Sequence, residues 1–202
     1  IKLVLLMKII IGISGASGSI FGIRLLELLR ESKNVETHLI VSKWGQQTLE
    51  FETDFSLTDV KKLADFYYSQ SEMGAAISSG SFITDGMIIA PCSMRTVAAI
   101  ANGISENLIH RAADVIIKER RKLVLLPREA PFSQIHLENL LKLSKLGAVI
   151  LPPGPAFYNK PKSIDDIVNH VVLRSCDQLN INLDIGSRWK GNMNYKNRRI
   201  NS

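Results

Sequence analysis

The chain is 202 residues long, with 46% hydrophobic residues, 22% charged residues and a formal net charge of +6. That length suits one well-buried domain rather than two, and the composition is that of an ordinary globular protein, not of a disordered or fibrous one. No apolar run reaches the roughly 18 residues of a membrane span, and the opening IKLVLL (1–6) is too short for a signal-peptide core and reads as an extension ahead of Met7.

In chain order, KIIIGIS (8–14) is a β-branched run closed by glycine and reads as a buried parallel strand. SIFGIRLLELLRES (19–32) carries apolar residues at helical spacing, and ETHLIVS (36–42) reads as a second strand. A helix is predicted from Trp44 to Glu52, and a second, capped by a serine, over SLTDVKKLADF (56–66). The Ser- and Gly-rich stretch 67–84 reads as an irregular, functional loop. GMIIAPCS (86–93) is a third buried strand, followed by helices over 94–103 and 106–121. KLVLLPRE (122–129) is a strand, 133–147 a helix with a glycine stop, and AVILPP (148–153) a strand. The last helix, 163–179, begins at Ser163 with acids in its first turn. With no repeat and no Pro/Gly-rich linker, this alternation predicts a single-domain α/β fold, a Rossmann-like doubly wound parallel sheet. The domain is expected to span 7–189, with a basic tail over 190–202.

In such sheets ligands bind beyond the carboxyl ends of the strands. Here those ends are SGASGS (14–19), Ser42-Lys43, PCSMRT (91–96), PREAP (127–131) and PPGPAFY (152–158), each polar or conformationally special. Any one of them reads as a turn or a helix cap; all five together favour a site. The first loop spaces Gly12, Gly15, Gly18 and Gly22 as GxxGxxG, not as the dinucleotide GxGxxG, and lacks the GK[ST] of a Walker A loop. Its glycines allow close backbone approach, and the following helix offers N–H groups to a phosphate. Dinucleotide sites usually place an acid at the end of the second strand to hold a ribose. This chain has Ser42 there, so a mononucleotide is expected rather than NAD.

Other features carry less. The basic KERRK (118–122) and the tail read as a solvated helix end and a terminus, and no motif supports nucleic-acid binding. His38, His110, His136 and His170 lack metal-ligand spacing, so no metal is expected. Two cysteines, Cys92 and Cys176, supply neither a disulfide framework nor zinc spacing, which suits the cytoplasm, and Cys92 reads as a packed residue rather than a nucleophile.

The segments GISGASG, VSKW, ETD, PCSMRT and PAFYNKP, and above all the block from Asn107 to Pro153, resemble the UbiX-type flavin prenyltransferases, from about Met7 to Trp189. The resemblance implies FMN as cofactor, at a site shared between subunits of a homo-oligomer, typically a dodecamer. It implies transfer of a dimethylallyl group from dimethylallyl phosphate to reduced FMN, alkylating N5 and C6 and closing a fourth ring. The prenylated FMN would serve a UbiD-type decarboxylase. Carried over by position, FMN contacts fall on Gly15, Ala16, Ser17, Ser42, Ser93, Met94, Arg95, Thr96 and Arg128. Prenyl-phosphate contacts fall on Lys118, Tyr158 and Arg174, with Glu52 close by and Trp189 near the substrate pocket. Ser17 and Glu129 match positions that handle protons during ring closure. Arg95 stands where the family varies. A Lys, an Arg and a Tyr hydroxyl suit a leaving phosphate without a metal. Two alternatives are weighed. One is an FMN-dependent cysteine decarboxylase, expected to carry an early catalytic histidine and a PxMNxxMW segment, where this chain has PREAPFSQIHLEN. The other is a non-catalytic FMN-binding subunit of an aromatic-acid decarboxylase.

Overall fold

In the computed structural model, residues 6–185 are described. Six parallel strands form one sheet in the order β3-β2-β1-β4-β5-β6. They are β1 (Met7–Ile13), β2 (Val35–Val41), β3 (Phe66–Ser69), β4 (Gly86–Cys92), β5 (Lys122–Pro127) and β6 (Val149–Ile150). The helices are α1 (Ser19–Arg30), α2 (Lys43–Glu52), α3 (Leu57–Lys61), α4 (Met94–Ala101), α5 (Leu108–Lys118), α6 (Gln134–Lys145) and α7 (Ile164–Gln178).

The strands are apolar on both faces because both faces are covered. Ile9, Ile11 and Ile13 of β1 point with Ile88 and Val124 into a core closed by α1, α2, α3 and α7. Their neighbours Ile10, Met87 and Leu123 point the other way, into a core closed by α4, α5 and α6. The period-2 alternation of side chains along a strand therefore builds two separate cores on one sheet. Helix α1 lies so close to the sheet that a Cβ at Gly22 would stand 2.4 Å from the Ala90 carbonyl oxygen. The last glycine of the GxxGxxG run thus serves packing.

The doubly wound fold stands as expected, and the boundaries differ in instructive places. The stretch 67–84 contains most of an edge strand, β3, paired to β2 from His38↔Phe66 to Val41↔Ser69. Tertiary contacts create it. His38 stacks on Phe66 at 5.0 Å between ring centroids and meets the Tyr68 hydroxyl at 3.0 Å. The helix predicted over 56–66 ends early, because Asp65 accepts hydrogen bonds from the backbone N–H (2.7 Å) and hydroxyl (2.9 Å) of Thr37 and leads the chain into β3. Strand β6 is two residues long, ahead of Pro152 and Pro153, which have no N–H to donate to a ladder. Helix α5 starts late: Asn107 caps it, accepting from the His110 backbone N–H at 3.0 Å.

Candidate active site

β1 and β4 are adjacent, and the chain leaves them toward opposite sides of the sheet, so their carboxyl ends form the switch point where such folds open a crevice. Ser14, fully buried, fastens the two ends together. Its hydroxyl donates to the Pro91 carbonyl at 3.0 Å and accepts from the Ser93 N–H at 2.8 Å. Two helix caps then stand side by side. Ser42 accepts from the Gly45 N–H at 2.9 Å and opens α2; Ser93 accepts from the Thr96 N–H at 3.2 Å and opens α4.

Between them lies a cleft of about 500 Å³, a volume that suits a ligand of mononucleotide size. Gly15, Ser42, Trp44, Gln70, Ser93, Thr96, Asn107 and His110 are among the residues that line it. Trp44 is 64% exposed although it lines the cleft, and Gly15 packs against its first atoms: a Cβ at Gly15 would lie 2.4 Å from the Trp44 Cβ. Arg95 and Glu106 also line the cleft and pair with each other at 2.8 Å, so neither charge is left uncompensated there.

A second cluster surrounds the start of α1. The glycine loop places Gly18 in the left-handed region at φ 104°, and α1 has no side-chain cap of its own. Glu52, the last residue of α2, supplies one from outside. Its carboxylate accepts from the N–H groups of Gly18 (2.8 Å) and Ser19 (3.1 Å) and from the Ser17 hydroxyl. Partial burial pushes the Glu52 pKa up, but those hydrogen bonds and the nearby Arg128 charge outweigh it and hold the carboxyl below its ordinary value. The N–H groups of Gly18 and Ser19 at the start of α1 are thus taken up by a carboxylate. Arg128 follows β5 and ties back to the sheet through its N–H to the Cys92 carbonyl at 3.2 Å. Glu129 beside it is exposed, and its carboxylate accepts from the Ala130 N–H at 3.1 Å.

Of the FMN-contact positions, Gly15, Ser42, Ser93, Arg95 and Thr96 line the cleft, and Ala16, Ser17 and Met94 stand beside them in the chain, while Arg128, on the loop after β5, does not line it. The prenyl-phosphate positions lie elsewhere in the chain. Lys118 sits at the far end of α5 from Asn107 and His110, paired with Glu119. Tyr158, in a 3-10 turn over Phe157–Asn159, meets the His170 ring edge-on at 5.9 Å. Arg174 lies one turn beyond His170 on α7 and pairs with Asp177 at 2.8 Å. Tyr158 and Arg174 therefore share a patch around His170 and do not line the cleft. Trp189 lies outside the described residues. No group of three or more His, Cys, Asp or Glu residues is arranged to hold a metal ion among the described residues. No helix there is long and apolar enough to cross a membrane.

Sequence reading passed over Ser14, Trp44, Asn107 and His110. The Asn107 cap was legible as an asparagine ahead of LIHRAADV; the others depend on which strand ends become neighbours.

The chain matches the Flavoprotein family over residues 5–175. It is 54% identical to a probable UbiX-like flavin prenyltransferase of Bacillus subtilis, over 92% of this chain and 90% of that protein. Among solved structures, it resembles a dodecameric FMN-dependent UbiX-like decarboxylase from Escherichia coli O157:H7, with TM-score 0.90 and 55% identity over 92% of this chain and all of that one. It resembles AnUbiX (PadA1), solved with FMN and dimethylallyl pyrophosphate, with TM-score 0.90 and 47% identity over 92% of this chain and 98% of that one. On this sequence identity and on the sheet and cleft described above, the chain belongs to the flavoprotein family, among the UbiX-like flavin prenyltransferases.

Proposed function

We propose that this protein transfers the dimethylallyl group of dimethylallyl phosphate to reduced FMN, without a metal. The observation that carries this reading is the cleft at the β1/β4 switch point. Its lining combines hydroxyls, amides and an imidazole with a glycine, an aromatic ring and Lys43, the second strand ends in Ser42 rather than a ribose-binding acid, and the Glu106 charge is already matched by Arg95. These groups fit a flavin mononucleotide.

Gly15, Ala16, Ser17, Ser42, Ser93 to Thr96 and Arg128 would hold FMN. Bound and reduced, FMN supplies the nucleophilic N5 and C6. Lys118, Tyr158 and Arg174 bind the phosphate of the donor and stabilise it as it leaves, which charge-assisted contacts can do without a metal. Glu52 holds the loop carrying Ser17, and Ser17 with Glu129 takes up the proton released at C6. Trp189 is assigned to the substrate pocket. Because Lys118 at the end of α5 and the Tyr158–Arg174 patch both lie apart from the cleft in one chain, the complete site forms between copies, these groups meeting the cleft of a neighbouring chain. A homo-oligomer, such as the dodecamer of the E. coli protein, satisfies this. The prenylated FMN passes to a UbiD-type decarboxylase, and the two buried, unpaired cysteines suit the cytoplasm.

Substitution separates the two halves of the site. Arg174→Ala or Lys118→Ala should raise the donor concentration needed by about tenfold or more, as for one lost charge-assisted contact. FMN affinity should stay unchanged. Loss of FMN with donor use intact in either variant would refute this division.

A further inference from the structure

His110 lines the cleft with only 2% of its surface exposed. Its backbone N–H is bonded to Asn107, but Nδ1 is buried with no hydrogen-bond partner, and neither ring nitrogen bonds to a described residue. Folded proteins pair nearly all such groups, since an unpaired one loses its hydration and gains nothing. Among the described residues only Ser19 Oγ shares this condition, and Ser19 does not line the cleft.

The neighbouring polar groups are already engaged. Ser93 Oγ accepts from the Thr96 N–H and donates to the Thr96 hydroxyl at 3.0 Å, and the Asn107 side chain caps α5. Of the described side-chain atoms that line the cleft, His110 Nδ1 alone is both buried and without a partner. Burial lowers its pKa, Glu106 opposes the shift and Arg95 adds to it, so the ring is neutral at physiological pH. A neutral imidazole has one donor and one acceptor, and suits an uncharged polar group better than a phosphate. A half-turn about Cβ–Cγ exchanges Nδ1 with Cδ2, so the ring can present either nitrogen without backbone movement.

We propose that His110 contacts the cofactor. Its imidazole hydrogen-bonds an uncharged polar group on the ribityl–isoalloxazine part of FMN and is satisfied only when flavin is bound. The assignment rests on the FMN reading above.

The test is titration of the flavin-free protein with FMN and with riboflavin, followed by flavin fluorescence, alongside thermal melts without ligand. His110→Phe keeps a ring and removes both nitrogens; His110→Asn places an amide near the Nδ1 position. His110→Leu repeats the apolar test should the larger phenyl ring disturb α5. The apolar variants should weaken FMN and riboflavin by the same factor, roughly three- to tenfold as for one hydrogen bond, and melt no lower than wild type without ligand. His110→Asn should recover much of the affinity. Wild-type affinity for both flavins in the apolar variants would overturn the assignment, as would a loss confined to FMN or a large fall in the ligand-free melt. Wild-type protein that binds no FMN would overturn the functional reading itself, a failure visible before any variant is made.

Discussion

Gly15→Ala probes how the cleft wall is built. The added methyl would stand 2.4 Å from the Trp44 Cβ, 3.2 Å from its carbonyl carbon and 3.3 Å from its Cα. The shortest of these is more than about 1 Å inside the usual carbon–carbon contact of 3.5–4.0 Å. All three belong to the backbone or to its first side-chain atom, so no rotamer of Trp44 relieves the clash. The first turn of α2 must move instead, and with it Ser42, whose N–H bonds the Ile13 carbonyl at 2.9 Å and whose hydroxyl caps the helix. Overpacking of this kind costs about 1–3 kcal/mol, and at about 2–4 °C per kcal/mol for a chain of this length the melt should fall by about 2–12 °C. Because Ser42 and Trp44 line the cleft, FMN affinity should fall as well, by about tenfold for one displaced hydrogen-bonding group. Gly74→Ala is the control, since its Cβ would meet nothing within 4 Å. Melting curves and calorimetric FMN titration read both effects. A Gly15→Ala protein that melts and binds like wild type would refute this account of the wall.

Two further outcomes follow from the cluster at α1. Glu52→Gln should lose about 0.5–1 kcal/mol at neutral pH, the worth of a carboxylate at a helix N-terminus. Since the folded pKa lies below the ordinary value of 4.5, that stability is present above 4.5 and lost as pH falls through the folded pKa. The wild-type and variant melts should therefore converge on acidification, and a gap independent of pH would contradict the charged cap. Glu129→Gln should bind FMN and donor normally yet close the fourth ring about 10²–10⁴-fold more slowly, with Ser17→Ala milder because water can replace a hydroxyl. Normal single-turnover flavin spectra from Glu129→Gln would remove its catalytic role.

What the sequence carried well was local. β-Branched runs, serine caps and glycine stops placed five of six strands and gave the sheet its class, since each is set by neighbours in the chain. Ser42 in place of an acid was visible because the relevant position is counted along one strand. Strand β3 was not visible: FYYS becomes a strand only because His38 and Thr37, some 30 residues earlier, bind it and the turn before it. The Glu52 cap was hidden for the same reason, a carboxylate at the end of one helix meeting the start of another. The separation of Lys118, Tyr158 and Arg174 from the cleft depends on helix length and direction, which a motif does not record. By its spacing in the chain His110 showed only that it lacks a metal-ligand pattern, and its missing partner is what distinguishes it.

The most direct measurement is anaerobic incubation of the protein with reduced FMN and dimethylallyl phosphate, followed by mass analysis of the extracted flavin and assay of inorganic phosphate. The extracted flavin should be heavier by one dimethylallyl-derived five-carbon unit, with one phosphate released per flavin converted. Flavin of unchanged mass, from protein shown to bind both FMN and donor, would contradict the proposed transfer.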